Sequence, residues 1–145
     1  NGMSYLLRVT LIALALLSTV SCSSKPMQTP DRTLHASIHA DRAQMQQAIV
    51  KSLVGRGWTV QKIAPDLVQA QITVREQYHA EIDIPYSASH YQIIYRNSSG
   101  LDYKDGKIHK NYIRWVRLLD RDIVRDLKDK QNERTAQQLS EAAAK

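Results

Sequence analysis

Between Leu67 and Arg96 apolar and polar side chains alternate with a period of two, the pattern of strands with one buried face. Val68, Ala70, Ile72 and Val74 face one way, and Gln69, Gln71, Thr73 and Arg75 the other. A second strand sets Ala80, Ile82 and Ile84 against His79, Glu81 and Asp83. Pro85 to Ser89 turns the chain, and Tyr91, Ile93 and Tyr95 continue the apolar side of a third strand, with Gln92 and Arg96 opposite. Such alternation predicts an antiparallel sheet with one wet face. The first hairpin closes around Glu76-Gln77-Tyr78. Keeping both apolar sets on one face requires an even pairing sum, which places Arg75 beside His79 and Thr73 beside Glu81. Residues 58–64 (WTVQKIA) also alternate before a turn at Pro65-Asp66, and Leu34, Ala36 and Ile38 suggest a short lead-in strand.

Two stretches switch to helical spacing. Asp41 is a suitable N-cap for a helix to about Val54, with Met45, Ala48, Ile49 and Leu53 on one face and Gly55 or Gly57 ending it. Turns at Asn97–Gly100 and Lys104–Lys107 flank an expected short strand at Leu101–Tyr103. Asn111 is the expected cap of a last helix, in which Tyr112, Trp115, Val116, Leu119, Ile123 and Leu127 form the apolar stripe. Asp120, Arg121, Asp122, Arg125 and Asp126 then decorate its other side as local ion pairs. The predicted fold class is α+β: a two-layer sandwich over residues 34–128, with an antiparallel sheet of three to five strands and two helices packed on one face. Residues 129–145 form a polar tail, either a frayed extension of the helix or disorder.

The first third of the chain has a different character. Translation is expected to start at Met3, and Met3–Arg8 carries one positive charge before a nine-residue run, Val9–Leu17, that is apolar but for Thr10. At about 1.5 Å per residue this run is too short to cross a hydrocarbon core of about 30 Å. It has the length and flanks of a signal peptide, so residues 1–21 are read as a leader, with 3–21 its genuine part. Val20-Ser21-Cys22 resembles the lipobox of bacterial lipoprotein precursors, in which the cysteine is acylated and becomes the new N-terminus; Thr19 stands where that pattern usually has Leu. The competing reading is an ordinary signal peptide, leaving Cys22 as a free thiol. Ser23 resembles the residue that follows the cysteine in lipoproteins sorted to the outer membrane. Residues 22–33, with two prolines and little to bury, then read as the lipidated cysteine and a flexible tether.

Composition narrows the classes further. Twenty Lys and Arg stand against fourteen Asp and Glu, and only Arg8 among these charges precedes Cys22, leaving a net +5 from Cys22 onward. Read as dispersed along the chain, that excess implies no nucleic-acid partner. One cysteine excludes an internal disulfide. Seven Tyr and two Trp, with no Phe, suit a sheet with one wet face.

Two constellations carry candidate chemistry. His79, Glu81 and Asp83 lie roughly 7 Å apart along one strand face, with Arg75, Gln92 and Arg96 as flanking candidates. Such a row is able to bind a metal or do acid–base work. It is also what the solvated face of a half-buried sheet looks like, and that reading is preferred. His35 and His39 are expected to be exposed. No nucleophile motif or Gly-rich phosphate loop occurs, so no catalytic residue, metal or cofactor is assigned. The second constellation, His109, Lys110, Tyr112, Arg114 and Trp115, opens a helix with cations beside aromatics, suited to a partner or an anion. Against it stands the reading of Tyr112 and Trp115 as core.

Gly57-Trp58, then Ala80, Ile82, Ile84, Pro85-Tyr86, Tyr91, Ile93 and Tyr95 form one ordered set of short motifs. Ser99, Leu101, Tyr103, Ile108-His109, Asn111-Tyr112 and Trp115 complete it. In that order they resemble a family of small uncharacterised proteobacterial outer-membrane lipoproteins. The resemblance implies an α+β domain behind a lipid anchor, and brings no reaction, cofactor or catalytic residue. The expected role is a non-enzymatic binding or assembly module. It would be held to the outer membrane through Cys22, facing the periplasm, with another envelope protein or an envelope glycan as partner. A glycan- or lipid-binding module is the alternative, and a small hydrolase built on His79, Glu81 and Asp83 a weaker one.

Overall fold

A computed structural model describes residues 23–145; the expected leader and Cys22 lie outside the described residues. The elements are β1 (Ser24–Pro26), β2 (Asp31–Thr33), α1 (Arg42–Gly55), β3 (Thr59–Ala64), β4 (Leu67–Val74), β5 (Tyr78–Pro85), β6 (His90–Gln92), β7 (Ile94–Ser99), β8 (Lys107–His109) and α2 (Lys110–Ala144). Strands β3, β4, β5 and β7 form an antiparallel sheet in that order. The architecture is the α+β sandwich expected, with four strands in its main sheet.

The period of two works as anticipated. Val68, Ala70, Ile72, Ala80, Ile82 and Ile84 are buried in one core with Met45, Ala48, Ile49 and Leu53 of α1 and Tyr112, Val116, Leu119, Ile123 and Leu127 of α2. Removing such aliphatic side chains from water contributes about 1.5–3 kcal/mol each, which is why the alternation dictates the layer. Helix α1 starts on a reciprocal capping box. Asp41 Oδ1 accepts from Gln44 N at 2.7 Å, and Gln44 Oε1 accepts from Asp41 N at 2.9 Å. It ends where Gly57 takes a φ of 84° and lets Trp58 N donate back to Leu53 O.

Several local expectations are corrected. The β4–β5 register pairs Val74 with Tyr78 and Thr73 with His79, so Glu81 faces Gln71 rather than Thr73. The pairing sum stays even, but the turn is centred one residue earlier. Arg75 and Glu76 both adopt left-handed φ values, 57° and 56°, and Gln77 N bonds Val74 O. The third strand is broken in two. Ile93 N donates to Pro30 O, so His90–Gln92 pairs with β2 while Ile94–Ser99 continues on β5. Asn97–Ser99 therefore belongs to a strand, and only Gly100 turns. Leu101–Tyr103 is not a strand; Leu101 is buried as a core plug, and its carbonyl accepts from His109 N. The lead-in strand lies at Asp31–Thr33, just before Leu34, whose burial begins a loop.

The segment expected to be a flexible tether is docked. Ser24–Pro26 pairs antiparallel with Lys107–His109, Ser24 opposite His109, and Met27 N donates to Gly106 O. Backbone pairing needs no apolar side chain, which is why this polar segment folds onto the domain. At the other end, α2 runs through the polar tail to Ala144, some 52 Å for 35 residues. Beyond Leu127 its polar side chains hold the loop after β2. Gln131 accepts from His39 N at 2.7 Å and donates to Ser37 O at 2.6 Å, and Arg134 donates to His39 O. Among the described residues no helix is long and apolar enough to cross a membrane.

Gly100 fastens the end of β7 against the first hairpin. Its φ is 75°, and a Cβ there would meet Gln77 O at 2.0 Å. Gly100→Ala is expected to cost on the order of 3 kcal/mol through strain and displacement of that turn, read as a lower denaturant midpoint. A loss below about 0.5 kcal/mol would show that the turn yields freely.

Candidate functional site

The open sheet face is a closed polar network. Each of its two edge strands carries a bulge: Gln61 is the extra residue between Val60 and Lys62, and Arg96 the extra one between Tyr95 and Asn97. A bulge re-aims the side chain it adds. Here both point across the open face, where Arg96 Nη2 donates to Gln61 Oε1. Arg96 also donates to Glu81 and Asp83 at 3.3 Å, Asn97 to Glu81 at 3.1 Å, and Gln69 to Asp83 at 2.9 Å. His79 meets Thr73 Oγ1 at 2.8 Å through Nδ1 and Glu81 Oε2 at 3.5 Å through Nε2. The row of His79, Glu81 and Asp83 thus stays in line along β5, with its carboxylates already occupied. Arg75 sits exposed at the hairpin tip, and Gln92 bonds Asp31 on β2, so neither joins the row. Glu81 is held below its ordinary value of 4.5, chiefly by the Asn97 amide and then by Arg96 and His79. Among the described residues no group of three or more His, Cys, Asp or Glu is arranged to hold a metal.

The start of α2 gathers aromatic rings instead. His109, not Asn111, is the N-cap: its Nδ1 accepts from Asn111 N at 3.1 Å. Histidine is not among the preferred caps, so the residue type carried no signal for it. The His109 ring lies 5.5 Å from that of Tyr78. Tyr95 stacks on Tyr103 at 4.4 Å, and Tyr112 meets Tyr95 edge-on at 5.8 Å. Tyr103 is 47% exposed, while Tyr112 is fully buried. Burial, reinforced by Tyr95 and Tyr103, pushes the Tyr112 phenol well above its ordinary value of 10. Its hydroxyl has no hydrogen-bond partner among the described residues. Lys110 and Arg114 are exposed, and Trp115 is half-buried against the core. Of the second constellation, then, Tyr112 is core, His109 is a cap, and Lys110 and Arg114 face solvent. Tyr95 and Tyr103, which complete the aromatic shelf, were not among the candidates; Tyr103 shows only as a lone aromatic between two turns.

Asp120, Asp122 and Asp126 of α2 find their closest partners on other elements rather than in the local pairs expected from their spacing. Asp120 accepts from Arg32 of β2 at 3.2 and 2.5 Å and from the Tyr91 hydroxyl at 2.5 Å. Asp122 accepts from Arg56 at 2.6 Å, and Asp126 from Lys51 at 2.9 Å. Burial and the bond to Asp120 raise the Tyr91 phenol far above 10.

No family model and no curated protein matches the chain. The chemistry of the site itself therefore carries the functional argument.

Two outcomes follow for this region. Tyr112→Phe removes an unpaired buried hydroxyl, so stability should hold or rise by up to about 1 kcal/mol in thermal melts; a clear loss would show that the hydroxyl is paired. Three carboxyls lie below their ordinary values: Asp122 through Arg56, Glu81 through Asn97, and Asp31 through its hydrogen bond from His90. Each takes up its proton more readily in the unfolded chain. Their contribution is complete above about pH 5 and is lost as the pH falls through 4 and below. Denaturant midpoints should therefore decline in acid, and Asp122→Asn should flatten part of that decline. An identical slope in the variant would remove Asp122 from the account.

Proposed function

We propose that this chain is a lipid-anchored protein of the bacterial envelope. In this reading it is acylated at Cys22, held at the outer membrane facing the periplasm, and acts as a non-enzymatic binding module for another envelope protein. The leader pattern, the lipobox-like Val20-Ser21-Cys22 and the resemblance to outer-membrane lipoproteins support the location. The observation that carries the binding role is Tyr103, half-exposed and stacked at 4.4 Å on Tyr95 above the buried Tyr112. A rigid aromatic with its base already packed offers contact area at little entropic cost, which is why Tyr anchors interfaces. The sheet face argues against a hydrolase, because Arg96, Asn97 and Gln69 already occupy the carboxylates of Glu81 and Asp83.

A second reading has its own support. The half-exposed Tyr103 stacked on Tyr95 also suits the face of a sugar ring, so an envelope glycan is the alternative ligand.

Mass spectrometry of the mature N-terminus is expected to find Cys22 first and acylated; an unmodified Cys22 would overturn the anchor. A photo-crosslinking side chain at position 103 should capture one defined envelope protein in intact cells. Tyr103→Ala should weaken that complex at least about tenfold without lowering the melting temperature. Failure to capture a partner, together with shifts around Tyr95 and Tyr103 when envelope glycans are titrated into the labelled protein, would transfer the site to the second reading.

A further inference from the structure

Because the aspartates of α2 are drawn to its flanks, its cations are left facing outward. Lys110, Arg114, Arg117, Arg121, Arg125 and Lys128 recur at intervals of three and four, and all six are exposed. At about 100° per residue they fall within a sector about 80° wide, on the side away from the buried stripe. The strip is about 27 Å long at 1.5 Å per residue. Three of the neighbouring acids are committed elsewhere, and Asp129 is the exposed acid that stays beside Arg125 and Lys128. Asp120 is held by Arg32 and Tyr91, and Asp126 by Lys51. The Arg121–Asp122 approach is loose at 3.8 Å, whereas Arg56 holds Asp122 at 2.6 Å. Beside the strip lies a depression of about 610 Å³ whose charged border holds five cations, Arg32, Arg117, Arg121, Arg125 and Lys128, against two acids, Asp120 and Asp129.

We infer that this face of α2 binds lipid phosphates and lays the domain on an anionic phospholipid surface. Charge complementarity is the first argument: a straight row of guanidinium and ammonium groups that outnumber the acids beside them meets a plane of phosphodiesters without bending. Position is the second. β1 is paired to β8, with Ser24 opposite His109, so the chain reaches the domain at the same end of α2 where the strip begins. The inference deepens the proposed function by resting on the reading of Cys22 as the lipid-bearing residue. A lipid two residues before Ser24 would hold Lys110 and Arg114 near the headgroups, and the rest of the strip need only settle onto them.

The experiment uses the whole protein as purified from bacterial membranes, carrying Asn132→Cys. Asn132 is exposed, one turn past Lys128 on the same face. Flotation with pure phosphatidylcholine vesicles reports the anchor alone. The rate of maleimide labelling at position 132 reports the strip. Labelling should be at least about fivefold slower on vesicles holding 30% phosphatidylglycerol than on pure phosphatidylcholine. Salt near 1 M, where the Debye length falls to about 3 Å, should abolish the difference. So should the combined variant Arg117→Gln, Arg121→Gln, Arg125→Gln and Lys128→Gln, with its circular dichroism unchanged. Equal labelling on both vesicle types, at low salt and with flotation intact, would overturn the inference while leaving the anchor standing. If flotation on phosphatidylcholine fails, the anchor reading falls. Charge-dependent flotation with phosphatidylglycerol, lost in the combined variant, would then still support the strip, and its absence would overturn it. Protection of position 132 by soluble heparin but not by vesicles would assign the strip to a soluble polyanion and overturn the membrane assignment.

Discussion

The carboxylate of Asp120 is the contact on which the arrangement depends. Its side chain is only 14% exposed, and it accepts from two nitrogens of Arg32 and from the hydroxyl of the buried Tyr91. Charge-assisted bonds in a partly dry setting are stronger than neutral ones, and leaving such a carboxylate unpaired is costly. One side chain therefore binds the polar strand β2, the broken strand β6 and the middle of α2 into a single joint. It also fixes the rotation of α2. With Asp120 turned toward β2 and with Asp122 and Asp126 turned toward α1, the apolar stripe must face the sheet and the arginines must face out.

The same joint explains why residues 24–33 are not a free linker. Two three-residue strands with exposed, polar side chains have little to bury, and their hold comes from backbone pairing and from Arg32. A chain docked this way does not let the domain roam at the end of a long leash. Ser24 itself is held close to the start of α2, opposite His109.

What was legible in the sequence was what local pattern can encode. The alternation of Val68 to Ile72 and of Ala80 to Ile84 marked the buried face, and Asp41 with Gln44 marked the start of α1, because period and capping are properties of neighbouring residues. Apart from the hairpin turn at Arg75–Glu76 and the His109 cap, which are local, the failures concern partners distant in the chain. Ser24–Pro26 has no pattern of its own and becomes a strand only because β8 offers a free edge. The bulges at Gln61 and Arg96 are visible only in the pairing, and breaking the third strand at Ile93 required Pro30 as an acceptor. Asp122 lies within one turn of Arg121 and Arg125, so spacing favoured a local pair; Arg56, sixty-six positions away, holds it instead. The basic strip was in plain view at three- and four-residue intervals. It was hidden by assigning those arginines to the aspartates between them.

In a two-layer sandwich the outer side of a helix and the open side of the sheet point in opposite directions. Laying the cationic face of α2 on a bilayer therefore turns the Arg96 network away from the membrane and toward the aqueous compartment. That network is saturated with its own hydrogen bonds, as a face in permanent contact with water is expected to be. The aromatic shelf lies between these two extremes, at the end of α2 nearest the chain's docked N-terminal strand. In that orientation a ring cluster there would stand at the rim of the lipid-facing side, within reach of a second protein on the same membrane. The charge partition of α2 thus does two things at once: Asp120, Asp122 and Asp126 join it to the other elements, and its bases are left on the outward face, free to orient the domain on an anionic surface.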